Sequence, residues 1–263
     1  GVEKAGIDYF VNYRQPNSPV DKNFAIFASG NDAYHLAGYP AAHRDIISVS
    51  AFGPDFLPAV YTNYGPGTNI AAPGGDSSVN MTAEKNRATI LSTVPSDCDD
   101  YDSDYGYMEG TSMACPHVSG VVALGLSYAR KLGKNFTYDE FLAMIYSSVN
   151  NLDQYIETSK KTANGVPFDL TPYWQAMGTG AIDTWRLFMQ IEGTPSLVAE
   201  KDELSKLALG EYFGGSAANI TYLSVDLSDE AREALGVEGN PEIRNGRLNI
   251  KCTKVGSAKL TVK

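Results

Sequence analysis

The chain has 263 residues, 43% of them hydrophobic, and a formal net charge of −10 at pH 7 with an isoelectric point near 4.8. This length allows a sizeable buried core and favours more than one domain, while the negative charge argues against nucleic acids and anionic membrane surfaces as partners. Its three cysteines cannot all pair with one another, so no disulfide framework is expected.

The first part of the chain alternates between predicted helices and strands. Residues 7–13 are predicted to form a helix, and residues 24–28 and 46–52 are short apolar runs with β-branched residues, which is typical of buried strands. Residues 113–130 have the length of a helix, and small residues are expected to let it pack closely on a sheet: Ser119, Gly120, Ala123 and Gly125. The apolar stretch at residues 118–126 is much shorter than a membrane span.

Two more helices are predicted before residue 193. Thr137 and Glu140 have the spacing of a capping box, and apolar residues follow at helical intervals as far as Val149. Asp183 precedes the last helix of this part, whose expected core residues are Trp185, Phe188 and Ile191.

The composition changes after residue 193, where short strands are predicted at residues 222–227, 248–252 and 258–262. Asn245 and Gly246 give the clearest β-hairpin signal, and residues 228–232 suggest a helical turn. This region is similar to the small immunoglobulin-like or cadherin-like domains attached to secreted bacterial enzymes. An all-β fold is therefore expected for it.

Residues 110–120, with the sequence GTSMACPHVSG, contain the strongest chemical signal. Gly110 allows the backbone to come close to a substrate, and small neighbours leave the Ser112 hydroxyl accessible. Pro116 is suited to the first turn of a helix, so Ser112 is expected at a helix N-terminus, where the helix dipole favours developing negative charge. The segment therefore predicts a nucleophile at a site that stabilises an oxyanion.

This segment resembles the active-site serine region of the subtilisin-like serine proteases, whose pattern is G-T-S-M-A-x-P-H-V-x-G. Three other blocks are similar to segments of that family and occur in the same order: residues 27–32 (FASGND) with 38–41 (GYPA), residues 69–74 (NIAAPG) and residues 178–183 (GTGAID). The resemblance implies an α/β fold. Residues 1–192 are expected to be the C-terminal portion of a parallel-sheet, three-layer catalytic domain, and residues 193–263 a small immunoglobulin-like all-β domain.

The resemblance also implies roles for individual residues. Ser112 matches the nucleophile and Asn31 matches the asparagine of the oxyanion hole, so both are candidate catalytic residues. Substrate-binding positions are matched by Gly30, Asp32 and Gly38. The Asp32 carboxylate would favour Lys or Arg at the P1 position of a substrate, unless exposure to water makes it ineffective. The peptide bond before Pro40 is expected to be cis, as in the family.

The four segments that are similar to the family contain no counterpart of the histidine that acts as its general base. A histidine on an H-G-T-H-V-type helix and an aspartate on a D-T/S-G-type strand end precede the asparagine block in the family, and neither pattern occurs here. His117 is displaced from Ser112 by about 7.5 Å along a helix and by about 140° around it, too far for a hydrogen bond. His35 and His43 occupy positions that the family does not use. The chain alone is expected to be nearly inactive.

Residues 97–104 (DCDDYDSD) form an acidic run just before the serine segment. Carboxylates at alternating positions can bind calcium, here through Asp97, Asp99, Asp102 and Asp104, or attract basic substrates. A solvated acidic loop is the alternative interpretation, and no cofactor is required for the expected chemistry. A buried free thiol is expected at Cys115, while Cys98 and Cys252 fall in separate regions of the chain.

Three functions remain open from the sequence. The first is a subtilisin-like serine endopeptidase that acts on proteins or peptides, for which the resemblance implies an extracellular or cell-surface location. The second is a catalytically dead module that binds peptides, and the third is an adhesion or scaffold protein that acts through its C-terminal β domain. Since half of a parallel sheet leaves an edge strand and an apolar helix face uncovered, self-association or a complementary N-terminal chain is expected.

Overall fold

The structure is a computed structural model that describes residues 1–79, 88–97, 104–193, 197–210, 221–222 and 224–263. Its helices are α1 (Val2–Asn12), α2 (Thr111–Lys131), α3 (Tyr138–Ser147), α4 (Asp153–Thr158), α5 (Thr184–Glu192) and α6 (Asp229–Leu235). Its strands are β1 (Ala25–Ala28), β2 (Ile46–Phe52), β3 (Ile70–Pro73), β4 (Ile90–Thr93), β5 (Tyr105–Met108), β6 (Val149–Asn150), β7 (Lys161–Ala163), β8 (Val166–Phe168), β9 (Ala181–Ile182), β10 (Leu204–Ala208), β11 (Val225–Asp226), β12 (Glu242–Arg244), β13 (Arg247–Lys251) and β14 (Thr261–Val262). Among the described helices, none has both the length and the apolar character needed to cross a bilayer.

A five-stranded sheet with the order β1-β2-β3-β9-β6 forms the centre of the N-terminal part. Strands β1, β2, β3 and β9 are parallel, and β6 pairs antiparallel with β9. All seven residues of β2 are buried, as expected for a strand covered on both faces. The mixed α/β class and the two strands predicted from the apolar runs are confirmed.

Helices cover both faces of this sheet. Ile47 of β2 lies in one hydrophobic core with Val118 of α2 and Leu187 of α5, whereas the neighbouring Ile46 packs with Val11 of α1. Successive side chains of a strand point to opposite faces, so the helices lie on two sides and the sheet forms the middle layer.

The small residues of α2 do not all serve close packing. Gly125 is buried, and a Cβ atom there would lie 2.9 Å from Leu187 and 3.1 Å from Phe141. Gly120 and Ala123 are exposed, and a Cβ atom at Gly120 would meet nothing within 4 Å. The helix packs on the sheet as predicted, but it does so through Ala114, Val118 and Val122, whereas the buried glycine faces side chains of α3 and α5.

The predicted caps are present at α3 and α5. Thr137 Oγ1 accepts a hydrogen bond from the Glu140 backbone N–H, and the Glu140 carboxylate accepts one from the Thr137 backbone N–H, which confirms the capping box. Asp183 caps α5 by accepting from the Arg186 backbone N–H at 3.0 Å. Trp185 is 70% exposed, so its predicted core role is wrong. The buried residues of α5 are Leu187 and Ile191.

The C-terminal part contains a three-stranded antiparallel sheet, β10-β13-β12, and the antiparallel pair β11-β14. Asn245 and Gly246 have φ angles of 51° and 68°, the left-handed conformation that a type I′ turn requires at both positions, so the hairpin is confirmed. The predicted helical turn is α6, whereas β10 is an element that the sequence did not predict. Since α6 interrupts the strands, the described residues are not all-β, and the immunoglobulin-like form stays a prediction.

Candidate active site

Ser112 is the second residue of α2 and is exposed. Gly110 precedes the helix with φ of 148°, a conformation that glycine adopts readily. The helix begins at Thr111, so Pro116 lies inside it and not in its first turn, as the sequence had suggested. The backbone N–H of Ser112 has no acceptor among the described residues, because the first amides of a helix lack an intrahelical partner.

Asn31 lies beside the start of α2 and is held there by Thr111. Its Oδ1 atom accepts hydrogen bonds from the Thr111 backbone N–H at 2.9 Å and from Thr111 Oγ1 at 2.8 Å. Both bonds occupy the amide oxygen, so Nδ2 faces away from Thr111 and has no acceptor within the described ranges. A Cβ atom at Gly110 would come within 3.4 Å of this Nδ2. The structure therefore brings the two predicted catalytic residues, Asn31 and Ser112, to one place with free N–H donors on both.

Asn63 shapes the loop that carries Asn31, and the sequence did not single it out. It is buried, its Oδ1 accepts from the backbone N–H groups of Asp32 and Tyr34 at 2.9 and 3.1 Å, and its Nδ2 donates to the Ser29 carbonyl at 3.1 Å. A Cβ atom at Gly30 would lie 2.4 Å from this Nδ2, so glycine is required there by space as well as by its φ of 114°.

The predicted substrate-binding residues lie on the same loop. The Gly38 N–H donates to the carbonyl of Ser29, the residue before Gly30, at 2.7 Å. Asp32 is exposed, and its role at the P1 position stays a prediction. The peptide bond between Tyr39 and Pro40 is cis, as expected from the resemblance.

The three histidines contact groups other than Ser112. His117 is exposed, and its Nδ1 lies 2.8 Å from the Met113 carbonyl oxygen one turn earlier in α2. His35 packs on Tyr64, with 5.2 Å between the ring centroids. His43 lies beside Asp45, with 3.8 Å between Nδ1 and the carboxylate. Within the described part of the chain, none of them contacts Ser112.

The predicted calcium ligands cannot be assembled from what the structure describes, since Asp99 and Asp102 lie outside the described residues. Asp97 and Asp104 are both exposed. A separate group of metal-ligating side chains is formed by Asp8, His43 and Asp45, whose ligand atoms lie within 4.8 Å of one another. Lys4 already pairs with Asp8 at 2.6 Å and lowers the pKa of that carboxyl by its hydrogen bond. This group is therefore a poor fit for a resident cation.

Cys115 and Cys252 are free thiols, and burial raises the pKa of each. The Cys115 thiol donates to the Ile26 carbonyl at 3.5 Å. Both are protonated at neutral pH and therefore poor nucleophiles. Cys98 lies outside the described residues.

Known proteins resemble this chain over most of its length. Residues 6–168 match the family model described as "Subtilase family". The extracellular basic protease of Dichelobacter nodosus is 36% identical over 233 residues, which are 87% of this chain and 32% of that protein. Halolysin of Haloferax mediterranei is 37% identical over 102 residues, 39% of this chain and 16% of halolysin. The chain thus spans about a third or less of the length of these relatives.

A solved structure of a lanthipeptide protease has a similar fold. The TM-score is 0.50 at 16% identity, and the match covers 72% of this chain and 54% of that one. At this identity the likeness concerns the fold alone.

Proposed function

We propose that this chain, which belongs to the subtilase family, carries the nucleophile and the oxyanion hole of a serine endopeptidase. The observation that supports this most directly is the geometry at the start of α2. Thr111 holds the oxygen of the Asn31 amide, so that Asn31 Nδ2 and the Ser112 N–H remain free beside an exposed hydroxyl. Two such donors are what a tetrahedral oxyanion needs.

In this mechanism Ser112 Oγ forms a bond to the carbonyl carbon of the scissile peptide, and its proton passes to a histidine that this chain does not supply. The electron pair of the carbonyl moves to the oxygen, where Asn31 Nδ2 and the Ser112 N–H stabilise it. Collapse of the adduct breaks the C–N bond, the amine leaves with the proton from the histidine, and water then hydrolyses the acyl ester.

The isolated chain is proposed to be nearly inactive, because a serine without a base is a weak nucleophile at neutral pH. For a subtilisin, loss of triad members lowers turnover by up to roughly a millionfold and leaves about a thousandfold or more over water. These magnitudes were measured on that family member and are carried over to this chain.

The missing base is proposed to come from a polypeptide that adds strands beside β1. Strand β1 is the end of the sheet and pairs with β2 alone among the described strands. Next to its free side lies an open apolar hollow of about 820 Å³, lined by α1, β1, α2 and the segment between α1 and β1, with Phe10, Val20, Phe24 and Leu126 among its walls. An unpaired edge beside exposed apolar surface favours pairing with another chain segment.

Residues 193–263 are proposed to form a second domain that serves as a spacer or as a surface attachment module. The described residues of this region have their own hydrophobic cluster, formed by Leu209, Leu248, Ile250 and Cys252. The relatives named above include an extracellular protease, which supports a proposed location outside the cell, with proteins or peptides as substrates.

Covalent labelling tests the function. The complete protease, meaning this chain together with the segment that supplies the histidine, should react stoichiometrically with a fluorophosphonate at Ser112, and Ser112→Ala should abolish the adduct. The isolated chain should react only slowly. Peptide binding by the complete protein without any adduct at Ser112 would instead identify a catalytically dead binding module.

Peptide cleavage tests the role of Asp32. Paired substrates that differ only in Lys or Leu at P1 should be cleaved by the complete protease with a preference for Lys, and Asp32→Asn should remove that preference. Equal cleavage of both substrates by the parent would end this part of the proposal.

A further inference from the structure

A lysine is completely buried near the segment that precedes Ser112. Lys161 opens the short hairpin of β7 and β8, and its side chain is 0% exposed. Its Nζ lies 2.6 Å from Oδ2 of Asp76, donates a hydrogen bond to the Pro58 carbonyl, and lies 3.7 Å from Oδ2 of Asp55. Lysine is almost never fully buried unless it is paired, so the contact with Asp76 is what permits this position.

The Asp76 carboxylate is equally enclosed, with 1% of its side chain exposed. Besides Lys161, Oδ2 accepts from the Val60 backbone N–H at 3.0 Å. Oδ1 accepts from the backbone N–H of Ser78 at 3.1 Å and from the hydroxyl of the same residue. Both oxygens are thus satisfied, and a fully hydrogen-bonded buried network holds one geometry.

The turn after β3, residues 74–78, makes hydrogen bonds to Glu109 and Gly110, the two residues that precede α2. The Gly110 N–H donates to the Gly74 carbonyl at 3.0 Å, and the Glu109 carboxylate accepts from the backbone N–H and the hydroxyl of Ser77. A Cβ atom at Gly74 would lie 2.9 Å from the Gly110 oxygen, so the two segments are in direct contact. The position of this turn therefore sets where α2 begins.

We propose that Lys161 is a positioning residue for the active site. By neutralising and orienting Asp76, it fixes the turn at residues 74–78 and, through that turn, the first residues of α2. Stability alone does not account for the buried charges, because apolar residues of the same volume commonly give equal or higher stability than a buried ion pair. The proposal rests on the proposed catalytic function of Ser112.

The test uses a variant in which no buried charge is left without its partner. Lys161→Met alone would leave an unpaired buried carboxylate and is expected to fold poorly. The double variant Lys161→Met/Asp76→Asn removes both charges. The matched control is Lys134→Met, which removes a lysine that donates to the carbonyls of Ile191 and Glu192 at the end of α5.

Hydrogen exchange on this chain measures how firmly the segment before α2 is held, and it does not require catalytic activity. In the double variant, the Gly110 amide should exchange at least tenfold faster relative to the amide of Ile145 in α3, because the turn that carries the accepting Gly74 carbonyl loses its buried ion pair and keeps the Tyr61 hydroxyl as a remaining contact. In Lys134→Met this ratio should stay unchanged. An equal acceleration at both amides in the double variant would mean that Lys161 only stabilises the fold, and would overturn the proposal.

Steady-state kinetics on the complete protease measure the catalytic consequence. The double variant should lower kcat by about 10- to 100-fold with little change in KM, since displacement of a reacting group by about 1 Å costs a factor of this order, and Lys134→Met should leave both parameters near those of the parent. An unchanged kcat would refute positioning of Ser112. If the parent itself cleaves no peptide, the proposed function fails, and the exchange ratio still decides whether Lys161 positions the turn.

Discussion

Two glycines of the same helix should respond in opposite directions to substitution by alanine. Gly120 is exposed with nothing within 4 Å of an added Cβ atom, whereas a Cβ atom at Gly125 would lie 2.9 Å from Leu187, 3.1 Å from Phe141 and 3.3 Å from Ile191. Carbon atoms in good contact are about 3.5 to 4.0 Å apart. All three neighbours are fully buried, so a shift of any of them disturbs the core.

The magnitudes follow from two opposing effects. Alanine in place of glycine inside a helix raises the free energy of unfolding by about 0.5 to 1 kcal/mol, and this gain applies to both positions. An extra carbon in a closed core costs about 1 to 3 kcal/mol, and this cost applies to Gly125 alone. We therefore expect Gly120→Ala to be more stable than the parent by up to about 1 kcal/mol, and Gly125→Ala to be less stable by about 1 kcal/mol.

Urea unfolding of this chain at 25 °C, followed by circular dichroism, measures both free energies. Each variant serves as the control for the other, because both carry the same chemical change in α2. Equal unfolding free energies for the two variants would show that the core around residue 125 can expand, and the packing argument would then be wrong.

Three other predictions concern the active site, a helix cap and ionisation. Asn31→Leu in the complete protease should lower kcat by about 10²- to 10³-fold with little change in KM, a figure measured for the corresponding asparagine of a subtilisin and carried over here. Thr137→Ala should lower the free energy of unfolding by about 1 kcal/mol in urea titrations, because it removes one half of the capping box. Burial raises the pKa of Tyr138 and Tyr173 to about 12. The folded state holds these protons more tightly than the unfolded chain, so their contribution is complete below pH 10 and is lost between about pH 10 and 12, by up to about 1.4 kcal/mol per pH unit for each tyrosine.

Each of these three has a contrary outcome. A large rise in KM with unchanged kcat in Asn31→Leu would assign that residue to substrate binding. An unchanged urea midpoint in Thr137→Ala would mean that α3 is held by tertiary packing alone. For the tyrosines, Tyr173→Phe should make the loss of stability above pH 10 shallower, and an identical pH profile would exclude its ionisation as the cause.

Sequence motifs whose conformation depends only on neighbouring residues were predicted correctly. The capping box at Thr137 and the hairpin at Asn245 both depend on backbone conformations within a few residues of the motif, and both are present. The start of α2 was predicted within two residues for the same reason, although Pro116 suggested a later start than the structure has.

Contacts between distant segments could not be predicted in this way. Lys161 occupies a short strand with no motif around it, and its burial depends on Asp76 far earlier in the chain. Asn63 likewise becomes important only because the fold brings it to the loop that carries Asn31. Trp185 was misassigned although its helix was predicted correctly. It belongs to an amphipathic helix, but it lies on the exposed side and not on the side that faces the core.

The two predicted catalytic residues are an intermediate case between local motifs and distant contacts. Ser112 and Asn31 were identified by resemblance to a family, since neither residue type nor spacing alone connects two positions this far apart. The structure adds the reason that they meet, which is the double hydrogen bond from Thr111 to the Asn31 oxygen. The acidic run at residues 97–104 stays a prediction, because most of it lies outside the described residues.

Pro116 affects how the first turn of α2, which carries Ser112, is held in place. Proline has no N–H to offer the carbonyl of the residue four positions earlier, which is Ser112, so the tip of α2 has one intrahelical hydrogen bond fewer to the turn behind it. That tip is instead anchored sideways, to Asn31 through Thr111 and to Gly74 through Gly110. These lateral hydrogen bonds, in addition to those within the helix, therefore determine where Ser112 lies relative to Asn31.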